Sequence, residues 1–240
     1  RSFKPGDKIM GFGGVFGCGS HAQYFTLPES KAIESMIIMP GKLTYEEAAA
    51  CLEGAFYSGS TMLQLKPKAG QKALVYGATG AIGSSSVQFL KSFGVYVTAV
   101  CGGENFALVR SLGADKLIDY KTQDFTKDNE QYDFIFDDVG KTSFLKCKPL
   151  LTKKGTYSFA NGLGNLLFAL ITPLFGGKKV IFLPPKNVKA TLSFIKELIE
   201  KENFKPVIDR KYPLDKIAEA YVYVASGQKI GNVIITMDDF

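Results

Sequence analysis

The spacing of apolar residues changes period repeatedly through the middle of the chain. Ala73–Tyr76 is a short apolar run that ends in a glycine-rich turn. From Ser84 to Phe93 the apolar positions take helical spacing, and Gly94 stands where a helix ends. Val95–Val100 is β-branched and aromatic, as a buried strand is, and a short helix from Phe106 to Leu112 stops at Gly113. Strand-like runs then return at Lys116–Tyr120, Phe134–Phe136, Thr156–Phe159 and near Lys179–Leu183. Such alternation predicts an α/β fold with a parallel, doubly wound sheet.

The flanks have different textures. Residues 1–40 are glycine-rich with short strand-like pieces, which suits a small β-rich unit. Pro40 marks a boundary, and Thr44 with Glu47 has the spacing of a capping box at a helix start. After Pro184-Pro185 the pattern predicts a helix from about Asn187 to Lys201, strand-like Val207 and Ile208, a helix opened by Asp215, and a closing strand Asn232–Thr236. The longest apolar stretch, Leu166–Gly177, contains Pro173 and falls short of the roughly 20 residues a membrane span needs. It reads as a buried helix, with a subunit contact as the alternative.

Composition changes this picture little. The chain is 46% hydrophobic and 22% charged, an ordinary globular balance that excludes disorder. A net charge of +6 admits an anionic partner, but the basic runs are short, so a solvated surface is favoured over nucleic acid. Four cysteines, Cys18, Cys51, Cys101 and Cys147, form no CxxC element and point to a reducing compartment, read as cytoplasmic. A single histidine, His21, leaves little material for a zinc site.

The chemical signal is concentrated in "ALVYGATGAIGSSSVQFL". Gly77, Gly80 and Gly83 fall between a predicted strand and a predicted helix, where a tight turn, a close approach of phosphate to backbone and close helix packing each need a missing Cβ. A helix N-terminus offers free N–H groups to the phosphates, so Gly77, Thr79, Gly80, Ala81, Ile82 and Gly83 are expected to cradle a dinucleotide pyrophosphate. The second strand ends in Cys101, Gly102 and Gly103 without the Asp or Glu that clamps the ribose of NAD, and Glu104 reads as the start of the next turn. The expected cofactor is therefore NADP, with Tyr120 at the end of the third strand beside the adenine or the phosphate.

The segments "FKPGDKIMGF", "GSHAQYFTLPE", "YGATGAIGSSSVQ", "SLGADKLIDY", "DDVGKTSF", "KPLLTKKGTY", "KPVIDRKYPLDKIAEAY" and "GNVIIT" occur in this order along the chain. Together they resemble the zinc-free quinone oxidoreductase branch of the medium-chain dehydrogenases/reductases. The resemblance implies a Rossmann-type cofactor domain at 42–185 and a partial GroES-like catalytic domain built from 1–41 and 186–240. In the family "FKPGDKV" lies well inside the catalytic domain, whereas here it begins at Phe3, so the N-terminal part of that domain is expected to be missing. The family's third zinc ligand would fall near Gly54, which has no donor atom, and His21 has a structural role in the family. The resemblance further implies hydride transfer from NADPH to a quinone or an α,β-unsaturated carbonyl. It places the nicotinamide near Val139, Gly140 and Asn161, and directs Lys229 toward the 2′-phosphate, although Ile230 holds the usual arginine position. It implies a small-molecule substrate, no nucleic acid, no membrane span and a homodimer. No general acid is assigned: Asp137 and Asp138 fit capping as well as catalysis. The alternatives are a cofactor-binding fragment or sensor without turnover, and a zinc-type alcohol dehydrogenase.

Overall fold

The computed structural model describes residues 3–13, 21–160 and 163–237. Along the chain the first elements are strand β1 (Ile9–Gly11), helix α1 (Glu29–Ser35) and strand β2 (Met36–Ile38), which pairs antiparallel with β1. Helices α2 (Tyr45–Ala50) and α3 (Gly54–Leu65) follow, and α2 opens with the expected capping box: Thr44 Oγ1 accepts from the Glu47 amide, and Glu47 accepts from the Thr44 amide.

Next come β3 (Lys72–Tyr76), α4 (Ala81–Ser92), β4 (Tyr96–Cys101), α5 (Phe106–Ser111), β5 (Lys116–Asp119) and β6 (Tyr132–Asp137). Then α6 (Phe144–Cys147), β7 (Leu151–Phe159), α7 (Leu163–Ile171) and β8 (Lys179–Ile181) complete the central region. These strands form one six-stranded sheet in the order β5-β4-β3-β6-β7-β8, every pair parallel. The chain walks outward from β3 to β5, then returns to place β6 on the other side of β3. This reversal opens a crevice beyond the carboxyl ends of β3 and β6, the place where such sheets bind ligands. The architecture is the Rossmann-type fold expected from the sequence.

The last elements are α8 (Val188–Glu200), β9 (Ile208–Pro213), α9 (Ile217–Ala225) and β10 (Asn232–Thr236), with β9 and β10 paired in parallel. On one face of the large sheet a single core joins Val75, Val97 and Ala99 to Phe89 and Leu90 of α4, Met62 of α3, and Leu192, Ile195 and Ile199 of α8. Met10, Ile37 and Met39 enter the same core, which is thus continuous across residues 41/42 and 185/186. The opposite face packs Leu74, Ile118, Ile135, Leu151 and Val180 with Phe144 and Tyr157.

One expectation is corrected here. By its composition the apolar stretch Leu166–Gly177 reads as a buried helix. The helix is there as α7, but Leu167, Leu170, Leu174 and Phe175 are 59%, 70%, 80% and 78% exposed. Its inward face packs Phe168 and Ala169 against the core and adds a polar tie, buried Asn165, which accepts the Phe144 amide at 3.0 Å. Apolar composition says that a segment wants cover; it does not say that its own chain provides it.

Candidate functional site

The glycine-rich turn joins β3 to α4 at the crevice. Gly77 has φ +87°, and a Cβ there would overlap the Cγ2 of Val139 in the turn after β6. A Cβ on Gly83 would overlap the Gly77 carbonyl, so the first turn of α4 is pressed onto the end of β3. Both glycines are thus demanded by the protein's own packing. Gly80 is different. Its backbone is extended (φ −70°, ψ 171°), and a Cβ would meet only the Gly77 carbonyl oxygen, at 3.4 Å. Nothing in the chain requires glycine at that position, and open space lies where a phosphate would approach. Among the described residues the first-turn amides of Ala81, Ile82 and Gly83 have no backbone carbonyl partner. This cradle fits a dinucleotide.

The turn is strapped from the far end of the chain. Gly231 donates its amide to the Thr79 carbonyl at 2.7 Å and forms a parallel bridge with Gly80. Lys229 lies on this strap with Nζ donating back to the Gly231 carbonyl at 2.8 Å, and burial lowers its pKa. The structure therefore sets Lys229 against the glycine turn. The cation beside the end of β4 is another residue, Lys121.

At that end a second expectation is corrected. Cys101 and Gly102 close β4 as predicted, but the site does not lack carboxylates. The Glu104 side chain folds back so that a Cβ on Gly102 would lie 2.6 Å from its Oε1, and a Cβ on Gly103 would lie 2.8 Å from Asp119 Oδ2. Lys121 Nζ pairs with Glu104 at 2.7 Å, a hydrogen bond that holds the Glu104 carboxyl below its usual range. Cys101 is buried, and burial together with the Asp119 and Glu104 charges pushes its thiol up to about 11. Tyr120 is half exposed and stands edge-on to Tyr76 at 6.5 Å. Sequence spacing placed Glu104 correctly in a turn but carried no sign of where its side chain points.

Val139 and Gly140 form the turn facing Gly77. Asp137 builds that turn: its carboxylate accepts from the Gly140 amide at 2.7 Å, the Val139 amide at 3.3 Å and the Tyr157 hydroxyl at 2.9 Å. Asp138 has a different environment. It faces a cavity of about 350 Å³ that is also lined by Glu53, Tyr57, Ile82, Phe159 and Phe182. Its hydrogen bond comes from Ser86 Oγ at 3.4 Å, and Ser86 in turn bonds Ser58 at 2.9 Å. Burial, reinforced by the neighbouring Asp137 charge, pushes the Asp138 carboxyl up to about 7. Asn161 lies outside the described residues.

Among the described residues the candidate zinc donors do not come together. Gly54 is packed against Ala81 at the start of α4, where a Cβ would overlap that residue's backbone. Cys51 is fully buried, and burial with the Glu47 charge pushes its thiol up to about 12. His21 is exposed beside Tyr221. Among the described residues no group of three or more His, Cys, Asp or Glu side chains could hold a metal.

Fold and crevice define a dinucleotide-binding α/β protein, and comparison with known proteins gives the family. Residues 112–235 match the family model for zinc-binding dehydrogenases. The chain is 31% identical over 250 residues to the chloroplastic quinone-oxidoreductase QR1 of Triphysaria versicolor, covering 98% of this chain and 74% of that protein. It is 28% identical over 271 residues to the human mitochondrial NAD(P)H oxidoreductase RTN4IP1, covering 99% of this chain and 66% of that one. A quinone oxidoreductase of Pseudomonas syringae superposes with a TM-score of 0.80 at 20% identity, over 98% of this chain and 76% of that structure. The chain belongs to the medium-chain dehydrogenase/reductase superfamily, in its quinone oxidoreductase branch. It spans about two thirds to three quarters of the length of these relatives, 66% and 74%.

Proposed function

We propose that this chain carries the nicotinamide-binding site of a zinc-independent oxidoreductase that uses NADPH to reduce a quinone or an α,β-unsaturated carbonyl. The observation that carries the reading is the contrast within the glycine turn. Gly77 and Gly83 serve the fold, whereas a Cβ on Gly80 would meet only the Gly77 carbonyl oxygen, so the chain's own packing does not account for glycine there. The names of the relatives, a quinone-oxidoreductase and an NAD(P)H oxidoreductase, support the same reaction class. In this reading 42–185 is the cofactor unit, flanked by parts of a catalytic unit.

The α4 amides and the Gly80 gap would hold the pyrophosphate, and Val139 and Gly140 would border the nicotinamide. When bound, the reduced nicotinamide supplies the hydride. Conjugated acceptors suit a site without a metal, because their own conjugation spreads the arriving negative charge. The cavity walls Ile82, Phe159 and Phe182 exclude water and orient a flat acceptor. Asp138 holds a proton at its carboxyl near neutral pH and delivers it to the acceptor oxygen that gains charge, then recovers a proton from water. NADPH preference rests on Lys121, which would exchange Glu104 for a 2′-phosphate. Cys51, Cys101 and Cys147 are buried free thiols, in keeping with a reducing compartment such as the cytoplasm.

The test is NADPH oxidation by the purified chain with a simple quinone and, separately, with an enone. Turnover with either supports the reading. Cofactor binding without turnover of both acceptors would leave a cofactor-binding module in place of the enzyme.

A further inference from the structure

Positions 53, 57, 58 and 61 recur at the spacing of one helix face, and α3 turns that face into the cavity before Asp138. It brings Glu53, Tyr57, Ser58 and Thr61, to which α4 adds Ser86. Two of these hydroxyls are joined to the acid: Ser58 and Ser86 bond each other at 2.9 Å, and Ser86 donates to Asp138 Oδ2 at 3.4 Å. The ends of β7 and β8 supply the opposite wall. There Phe159 and Phe182 lie tilted with ring centroids 5.6 Å apart, beside Leu183 and Pro185, and Ser158 is the one hydroxyl among them.

The polar wall is of one chemical kind. Among the described residues that line the cavity there is no Lys, Arg, His, Asn or Gln, so no side-chain N–H is offered to a ligand. Hydroxyls turn to donate or accept, whereas an ionised carboxylate only accepts. Asp138 is shielded from water while Glu53 is exposed, which sets Glu53 at the rim. Glu53 makes no ion pair among the described residues. Lys229 feels its charge but keeps Nζ on the Gly231 carbonyl at 2.8 Å. Glu53 also stands at the N-terminal end of α3, where the helix dipole would otherwise draw an anion.

We infer that this cavity selects uncharged conjugated carbonyls that carry a hydroxyl or amino group at the end remote from the reducible bond, and that Glu53 is the residue that rejects acidic ones. The inference rests on the reductase reading above and names its substrate class. Asp138 takes the carbonyl end, Phe159 and Phe182 flank the flat conjugated body, and Glu53 accepts a hydrogen bond from the remote donor. A carboxylate, sulfonate or phosphate in that place would meet a like charge with no cation on the wall to offset it. A merely apolar cavity would also turn an anion away, but it would not favour a hydroxyl over a hydrogen, and Glu53 would have no part in the choice.

The experiment uses three acceptors of one skeleton: 4-phenylbut-3-en-2-one and its para-hydroxy and para-carboxy derivatives. Binding to the whole chain is measured by calorimetry at pH 7, and reduction with NADPH is measured separately. The hydroxy compound should bind about threefold or more tighter than the plain one, and about tenfold or more tighter than the carboxylate. Glu53→Gln, at an exposed position whose side chain caps nothing, should narrow the hydroxy-to-carboxy ratio by about fivefold. Asp138→Asn should narrow it further without restoring the preference of hydroxyl over hydrogen that Glu53→Gln removes. Carboxylate binding as tight as that of the hydroxy compound would overturn the inference. So would binding of none of the three, or a ratio unchanged by Glu53→Gln. The predicted order of binding without reduction of any acceptor would sink the reductase reading and leave the cavity's selectivity standing, whereas equal binding and reduction of all three would do the reverse.

Discussion

The two halves of the large sheet neutralise their charge in opposite ways. Around β3, β4 and β5, lysines find carboxylates within the same half: Lys91 with Asp115, Lys116 with Asp128, Lys121 with Glu104. Around β6, β7 and β8, Lys148, Lys153, Lys154, Lys178 and Lys179 have no such partner among the described residues, and apolar side chains stand beside them in solvent. The first half balances its charge within itself, while the second leaves these lysines unpaired among the described residues. A net charge of +6 conceals this, because it averages a balanced region with a strongly positive one. The candidate site lies on the seam, where Gly77 at the end of β3 touches Val139 after β6.

The largest effect should come from breaking that seam. Gly83→Val would force a side chain into the Gly77 carbonyl and should cost about 2–3 kcal/mol, as a lower midpoint in denaturant unfolding, together with dinucleotide binding. Next in size, Asp128→Asn tests whether the first half depends on its internal pairs. Burial works to raise the Asp128 pKa, but hydrogen bonds from Lys116 and Tyr132 outweigh it and hold the carboxyl below its ordinary range. Its stabilising contribution is thus present above the unfolded carboxylate range and is lost as pH falls through the folded value. The substitution should cost about 1–2 kcal/mol at pH 7 and much less in acid, measured as unfolding free energy against pH.

Asp138 has the opposite sign. Its raised carboxyl favours the folded state at low pH and penalises it as pH climbs from about 4 toward 7. Asp138→Asn should therefore match the wild-type melting temperature near pH 4 and exceed it above pH 7. In turnover it should remove the fall in enone reduction between neutral and alkaline pH, because the group that loses its proton is gone. The smallest effect belongs to the second half. Lys179→Ala should change stability by less than about 0.5 kcal/mol, since no partner is lost. A cost as large as that of Asp128→Asn would erase the contrast between the halves.

Much of the fold could be read from the sequence because it depends on local pattern. The closing strand Asn232–Thr236 was placed to the residue, and the glycine turn fell between strand and helix as its chemistry requires. Three helices left no signal, α6 because it has only four residues. In α1 no residue is buried, so there is no apolar stripe to detect; α3 is buried on so many sides, Ser58 and Ser60 included, that no polar face remains. Side-chain direction was illegible for the same reason in the site. That Glu104 folds over Gly102, that Lys229 turns to its own backbone, and that Asp138 rather than Asp137 faces the cavity are tertiary facts. The orientation of α7 is another, since only the packed structure tells which face Asn165 occupies.

The central claim, that the turn around Gly80 receives a dinucleotide, is tested most directly by comparing wild type with Gly80→Ala. NADPH and NADH would be titrated into each and read by nicotinamide fluorescence. The account predicts saturable binding to the wild type, tighter for NADPH. Binding of both should be lost in the variant, whose melting temperature stays unchanged because alanine fits the extended backbone there. Equal binding by the two proteins, or none by the wild type, would contradict it.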